Sequence, residues 1–133
     1  MLKRFITAGI VMFALVLVLA SCSRQEKVEA NVAHILIQYK GSMRAPETIT
    51  RSKEEAKVFT EELLKRIKAG EDFFTLAREN SDCPSKANDG RLGRFKRGMM
   101  APPFEEAAFK LKKDKISGIV ETDFGFHILK ALE

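Results

Sequence analysis

The chain has 133 residues, 45% of them hydrophobic and 31% charged, with a formal net charge of +5. That is enough for one folded domain and excludes disordered, collagen-like and disulfide-framework classes, since there are only 4 Pro, 8 Gly and 2 Cys. The positive charges are interspersed with acids and form no basic run, so a nucleic-acid partner is not expected.

The N-terminus reads as an export signal. Lys3 and Arg4 precede an apolar run from Phe5 to Ala20. At about 16 residues the run is shorter than the ~20 needed to span a bilayer, and it ends in small residues, as a cleaved signal does. Leu19-Ala20-Ser21-Cys22 resembles the bacterial lipobox, which makes residues 1–21 the signal and Cys22 the lipid attachment site. The alternative is an uncleaved anchor helix. Cleavage removes Lys3 and Arg4 and no acid, so the basic balance weakens in the mature chain. Ser23, in place of an Asp, leans towards an outer membrane in a cell that has two. The expected location is the cell envelope outside the cytoplasm, on its periplasmic side.

Residues 22–31 are short and polar and read as a tether to a domain over 32–133. Val32 to Gln38 is a run of β-formers and predicts a buried strand. Tyr39 to Thr50, with Gly41, Ser42 and Pro46, predicts a loop. Ser52-Lys53-Glu54-Glu55 fits a capping box, and Ala56, Phe59, Leu63 and Ile67 recur at helical spacing up to Gly70. Asp72 can cap a second helix carrying Phe73, Leu76 and Ala77, and Ser81 to Gly90 is irregular. Leu92 to Phe95 predicts a short strand, and Pro102-Pro103 starts another helix. Ile116 to Glu121 and Phe126 to Leu132 predict two strands joined through Thr122 to Gly125. The order implies an α+β domain with a small antiparallel sheet.

Four ordered segments resemble the parvulin family of peptidyl-prolyl isomerases. They are Ala33-His34-Ile35-Leu36; Phe73 to Ala77 leading into Ser81-Asp82-Cys83-Pro84-Ser85; Asp89 to Phe95 with Gly98 to Glu105; and Gly125-Phe126-His127-Ile128-Leu129. The resemblance covers about Val32 to Leu132. It implies a four-stranded antiparallel sheet surrounded by about four helices, and isomerisation of X-Pro bonds in proline-containing polypeptide clients, assisting their folding outside the cytoplasm. It further implies that His34 and His127 lie side by side, with Cys83 and Thr122 beside them as the catalytic cluster. Leu92, Met100 and Phe104 match the pocket for the proline ring.

Each residue also has a plainer reading. A strand histidine is more often a satisfied core residue than a catalyst, and Met100 and Phe104 are by default core. Cys83 beside histidines suggests a nucleophile, but isomerisation has no leaving group, so a role in tuning local electrostatics is expected. Phosphate-directed parvulins use a cationic cluster after the first strand. Here Arg44 matches, Lys40 is displaced, and Gln38 and Met43 are uncharged, so little phosphate preference is expected. Lys40, Arg44 and Arg51 are otherwise solvated loop charges. A monomer needing no cofactor is expected. Metal-ligand spacing is absent, which disfavours a redox or metal protein. The competing functional class is a chaperone or binding module that uses the groove without turnover.

Overall fold

The computed structural model describes residues 26–133. The expected signal segment, Cys22 and the first part of the tether lie outside the described residues. Among the described residues no helix is long and apolar enough to cross a membrane.

Four strands form one antiparallel sheet: β1 (Glu29–Ile37), β2 (Arg91–Lys96), β3 (Val120–Thr122) and β4 (Gly125–Ala131), in the spatial order β2-β1-β4-β3. Three helices accompany them: α1 (Lys53–Lys68), α2 (Phe73–Asn80) and α3 (Pro102–Lys110), with a short 3-10 helix over Pro84–Asn88. The capping box at Ser52 forms in full, with its hydroxyl accepting from Glu55 N–H and Glu55 reaching back to Ser52 N–H. Asp72 caps α2 through Thr75 N–H, and Pro102 and Pro103 occupy the first turn of α3, where a missing N–H costs nothing.

The two central strands are apolar on both faces, and the period of two divides them cleanly. Ala33, Ile35, Ile37, Phe126 and Ile128 face one way and pack with Ala56, Leu63, Phe73, Leu76 and Ala77 of α1 and α2. Val32 and Leu129 face the other way, with Ala30 and Phe95, and pack with Phe104, Ala108 and Phe109 of α3. Burying each large side chain contributes roughly 1.5–3 kcal/mol, so both layers stabilise the sheet. His34 and Leu36 share the α3 face with Val32. Their side chains are therefore sealed beneath the thinner helical layer, where a cavity can open.

Two expectations need correction. β1 begins at Glu29 rather than Val32, because Glu29, Ala30 and Asn31 pair with Lys96, Phe95 and Arg94; the last residues of the expected tether are strand. The expected strand over Ile116 to Glu121 shrinks to Val120–Thr122, with Ile116 making only an isolated bridge to Lys130. There Ser117 accepts Leu129 N–H through its side chain, which interrupts a regular ladder. The three α-helices and the 3-10 segment over Pro84–Asn88 together match the expected count of about four.

Candidate active site

β1 and β4 pair with His34 opposite Leu129 and Leu36 opposite His127. The two histidines are thus diagonal neighbours on one face, within reach of each other. Their rings stack at 19° with centroids 5.3 Å apart, and Nδ1 of His34 lies 3.1 Å from Nδ1 of His127. Thr122 Oγ1 sits 2.7 Å from His127 Nε2 and also accepts Phe124 N–H. The Phe104 ring meets both imidazoles edge-on, at 5.4 and 5.2 Å.

This geometry fixes the protonation. Burial lowers the His34 pKa to about 4, and burial together with the neighbouring His34 lowers that of His127 to about 3. Both rings are neutral at pH 7, so a single proton lies between the two Nδ1 atoms. If the Thr122 hydroxyl donates to His127 Nε2, then His127 Nδ1 carries the proton and donates to His34 Nδ1. Only His34 Nε2, buried without a partner among the described residues, is then left unsatisfied. The reverse assignment also leaves the Thr122 hydroxyl proton without an acceptor. The first arrangement wastes fewer buried polar groups and is favoured.

Above this pair lies a cavity of about 220 Å³ lined by His34, Leu36, Cys83, Leu92, Met100, Ala101, Phe104, Thr122, Phe124 and His127. The structure brings together all seven residues expected in the catalytic cluster and proline pocket. Leu36, Ala101 and Phe124 were not anticipated. Leu36 was legible, because it lies two residues beyond His34 on the same face. Phe124 comes from the two-residue β3–β4 turn, whose side-chain direction periodicity does not give.

Cys83 is held in place by the residues before it. Beyond β2, the free edge of β1 is satisfied by His34 N–H donating to the Gly90 carbonyl at 2.9 Å. Further along, Leu36 N–H donates to Ser81 Oγ at 3.0 Å, Asp82 N–H to the Leu36 carbonyl at 2.7 Å and Gln38 N–H to Asp82 Oδ2 at 2.8 Å. Arg51 donates to both Asp82 Oδ2 and the Gln38 carbonyl. Arg51 is therefore a half-buried clamp between the first loop and the Cys83 segment, and not a solvated loop charge. Among the described residues Cys83 is a free, half-buried thiol.

A second depression of about 460 Å³ shares Leu36, Cys83 and Phe124 with the first and adds Gln38, Arg44, Pro46, Asp82 and Pro84. Arg44 is exposed, adopts φ of 59° and places its guanidinium carbon 6.0 Å from the Phe124 ring centroid. Lys40 is exposed and lines neither depression, so the structure does not bring it to the site. Among the described residues no cluster of three or more His, Cys, Asp or Glu side chains is arranged to hold a metal ion.

A four-stranded antiparallel sheet carrying a diagonal histidine pair under an apolar cavity defines a parvulin-type domain. Residues 15–133 match the family model of the PPIC-type PPIase domain, and the chain belongs to that family. It is 43% identical over 113 residues to the peptidyl-prolyl cis-trans isomerase pin1 of Schizosaccharomyces pombe, covering 81% of this chain and 63% of that one. It is 50% identical over 72 residues to the foldase protein PrsA of Caldanaerobacter subterraneus, covering 53% of this chain and 24% of the foldase. The structure of peptidyl-prolyl isomerase ESS1 from Candida albicans superposes with a TM-score of 0.70 at 35% identity, over 80% of this chain and 63% of that one. The chain thus spans a little under two thirds of the length of the pin1 relative, and a quarter of the foldase.

Proposed function

We propose that this domain catalyses cis/trans isomerisation of X-Pro peptide bonds in exported polypeptides, and that it is held to a membrane by a lipid on Cys22. The observation that carries the catalytic reading is the apolar cavity floored by a neutral, mutually hydrogen-bonded histidine pair. Rotation about an X-Pro amide crosses a barrier of roughly 18–20 kcal/mol, because twisting breaks the resonance. No bond to the substrate need form; the site has only to favour the twisted amide over either planar form.

A planar amide carries a larger dipole than a twisted one, so apolar walls disfavour the ground state more. Leu92, Met100 and Phe104 grip the proline ring while the preceding carbonyl turns. Met100 is half-buried and free to adapt its shape. His34, His127 and Thr122 keep the floor uncharged and oriented. A donor towards the prolyl nitrogen, which becomes a better acceptor as it pyramidalises, would add to this. Cys83, at the border of the two depressions, sets the local polarity without forming an adduct.

The second depression suits the residue before proline. Arg44 is its one cation, and Asp82 places a carboxylate in the same wall. A mild preference for an acidic residue is therefore expected, and little preference for a phosphate dianion, which calls for several charge-assisted donors. Outside the cytoplasm such an enzyme would relieve slow prolyl steps in folding clients.

The test is peptide isomerisation by wild type beside Met100→Ala, Cys83→Ala and Cys83→Asp. Wild type accelerates exchange, Met100→Ala loses about tenfold in kcat/KM, and Cys83→Asp retains substantial activity. No acceleration by a folded wild type would instead support a binding module that uses the groove without turnover. Complete loss in a folded Cys83→Asp protein would favour covalent catalysis.

A further inference from the structure

β1 runs from the end of the molecule nearest the N-terminus to the end that carries the first loop. Its start and the close of β4 meet at one pole, where Leu132 N–H donates to the Asn31 carbonyl. The segment 111–115 folds onto the same pole, with Asp114 N–H donating to the Ala131 carbonyl and Ala131 N–H to the Lys115 carbonyl. Lys27 Nζ donates to the Leu111 carbonyl at 2.6 Å, tying the incoming chain to that segment. Lys96 lies opposite Glu29 in the β1–β2 register.

This pole therefore carries Lys27, Lys96, Lys112, Lys113 and Lys115, all exposed. Among the described residues Lys112, Lys113 and Lys115 join no ion pair. The acids present are few or engaged. Glu133 is taken by Arg94 and Asn31, leaving Glu26, Glu29 and Asp114. The cavity lies at the other end, its His34 and Leu36 about 16 and 23 Å along β1 from Glu29 at 3.3 Å per residue. The first loop and the β3–β4 turn are more distant still.

Four residues separate Cys22 from Lys27, five Cα–Cα steps that span at most about 18 Å of extended chain. Whether Cys22 carries a lipid or the apolar run stays as an anchor, the membrane surface would lie within that reach of the lysine pole. Screening extends over about 8 Å at physiological ionic strength, less than the tether's reach, so these lysines feel charged headgroups when the pole settles on the surface, which the short tether permits.

We propose that the pole bearing Lys27, Lys96, Lys112, Lys113 and Lys115 rests on the anionic phospholipid surface to which the chain is attached, turning the proline cavity outward to meet clients. This rests on the membrane attachment proposed above. Each lysine brought near such a surface strengthens binding roughly fivefold, so a few together fix an orientation that a flexible tether alone would not.

The test uses residues 26–133, which contain all four strands, the three helices and both apolar clusters. Sedimentation with vesicles of phosphatidylcholine containing about a third phosphatidylglycerol should show binding that ~0.5 M salt abolishes and pure phosphatidylcholine does not support. Lys112→Glu/Lys113→Glu should weaken it at least tenfold and leave isomerisation of a soluble peptide unchanged. The charge-matched Lys57→Glu/Lys86→Glu, placed on α1 and the 3-10 segment, should change it less than twofold. Equal loss in both variants, or no preference for anionic vesicles, overturns the docking face. Membrane attachment is judged separately, by fractionation of the full chain. A full chain that stays soluble overturns the attachment and the proposal with it. A membrane-bound full chain whose 26–133 portion ignores anionic vesicles overturns the docking face alone.

Discussion

His34 and His127 share one proton across 3.1 Å on the buried face of β1 and β4, and burial keeps both rings neutral. The hydrogen bond between their Nδ1 atoms needs one donor and one acceptor. A second proton would place two like charges face to face in an apolar layer.

Acid should therefore unfold the domain through these two residues. The unfolded histidines bind protons near pH 6.5, and the folded ones only near 4 and 3. The unfolded state thus holds more protons between those limits, and stability falls as pH falls. The contribution is complete above about pH 6.5, and by pH 5 each histidine costs about 2 kcal/mol. Urea unfolding at pH 7.5 and pH 5 should show this loss, and His34→Asn/His127→Asn should remove most of the difference. An unchanged midpoint in wild type would mean that the pair is open to protonation in the native state.

The same pairing predicts non-additive mutation. Replacing one histidine by Leu leaves the other ring with an unpaired buried nitrogen, a penalty of about 1–3 kcal/mol. Replacing both removes the unpaired nitrogens and leaves only the Thr122 hydroxyl without its acceptor. The double variant His34→Leu/His127→Leu should be more stable than the sum of the single losses requires, by about 1 kcal/mol or more in a double-mutant cycle. Strict additivity would argue that the rings do not depend on each other. Activity should fall in all three variants, because the floor of the cavity changes shape and polarity.

How far the site could be read from sequence depends on the kind of signal. Helix starts at Ser52, Asp72 and Pro102 were legible because capping is local chemistry. The double-sided apolar run around His34 gave a buried strand, but periodicity could not say that His127 would sit diagonally to it. That placement is a register between residues 93 positions apart, and it came from the family resemblance. Arg51 reads as a solvated charge in the sequence because its partner Asp82 is brought by the fold, 31 residues away. The β-formers at 116–119 read as strand, but the Ser117 side chain takes over a ladder bond there. The start of β1 was missed because Glu29 and Asn31 are weak strand formers held by pairing with β2.

Two glycines should prove indispensable. Gly90 has φ of 78°, and a Cβ there would overlap the His34 carbonyl oxygen that lies beside it. Gly125 has φ of 139°, and a Cβ there would overlap the Ile37 carbonyl oxygen. Both positions bring backbone against β1 on either side of the histidine pair. Gly90→Ala and Gly125→Ala should each cost at least 2 kcal/mol in urea unfolding, since conformational strain and overlap add. Gly118, which has open space around it, is the control: Gly118→Ala should change stability by less than about 1 kcal/mol. Equal effects at all three would refute the close-approach argument.

Charge around the second depression makes the last prediction. Arg44 is the one cation lining it: Gln38 is uncharged, and neither Met43 nor Lys40 lines the depression. A phosphate dianion brought against one guanidinium, with the Asp82 carboxylate of the same wall already paired to Arg51, gains little over a Glu side chain. Turnover of phosphoSer-Pro peptides should thus exceed that of Glu-Pro peptides by less than tenfold in wild type. Gln38→Lys/Met43→Arg would place two more cations on the loop that Arg51 clamps to Asp82, so three donors could converge on one phosphate. Charge-assisted hydrogen bonds of this kind contribute roughly 1.5–3 kcal/mol each before the loss of side-chain freedom is deducted. The phosphoSer-Pro to Glu-Pro ratio of kcat/KM should rise at least tenfold in that variant and fall back with salt. A wild-type ratio already above ten would mean that Arg44 suffices, and the uncharged character of Gln38 and Met43 would lose its meaning for specificity.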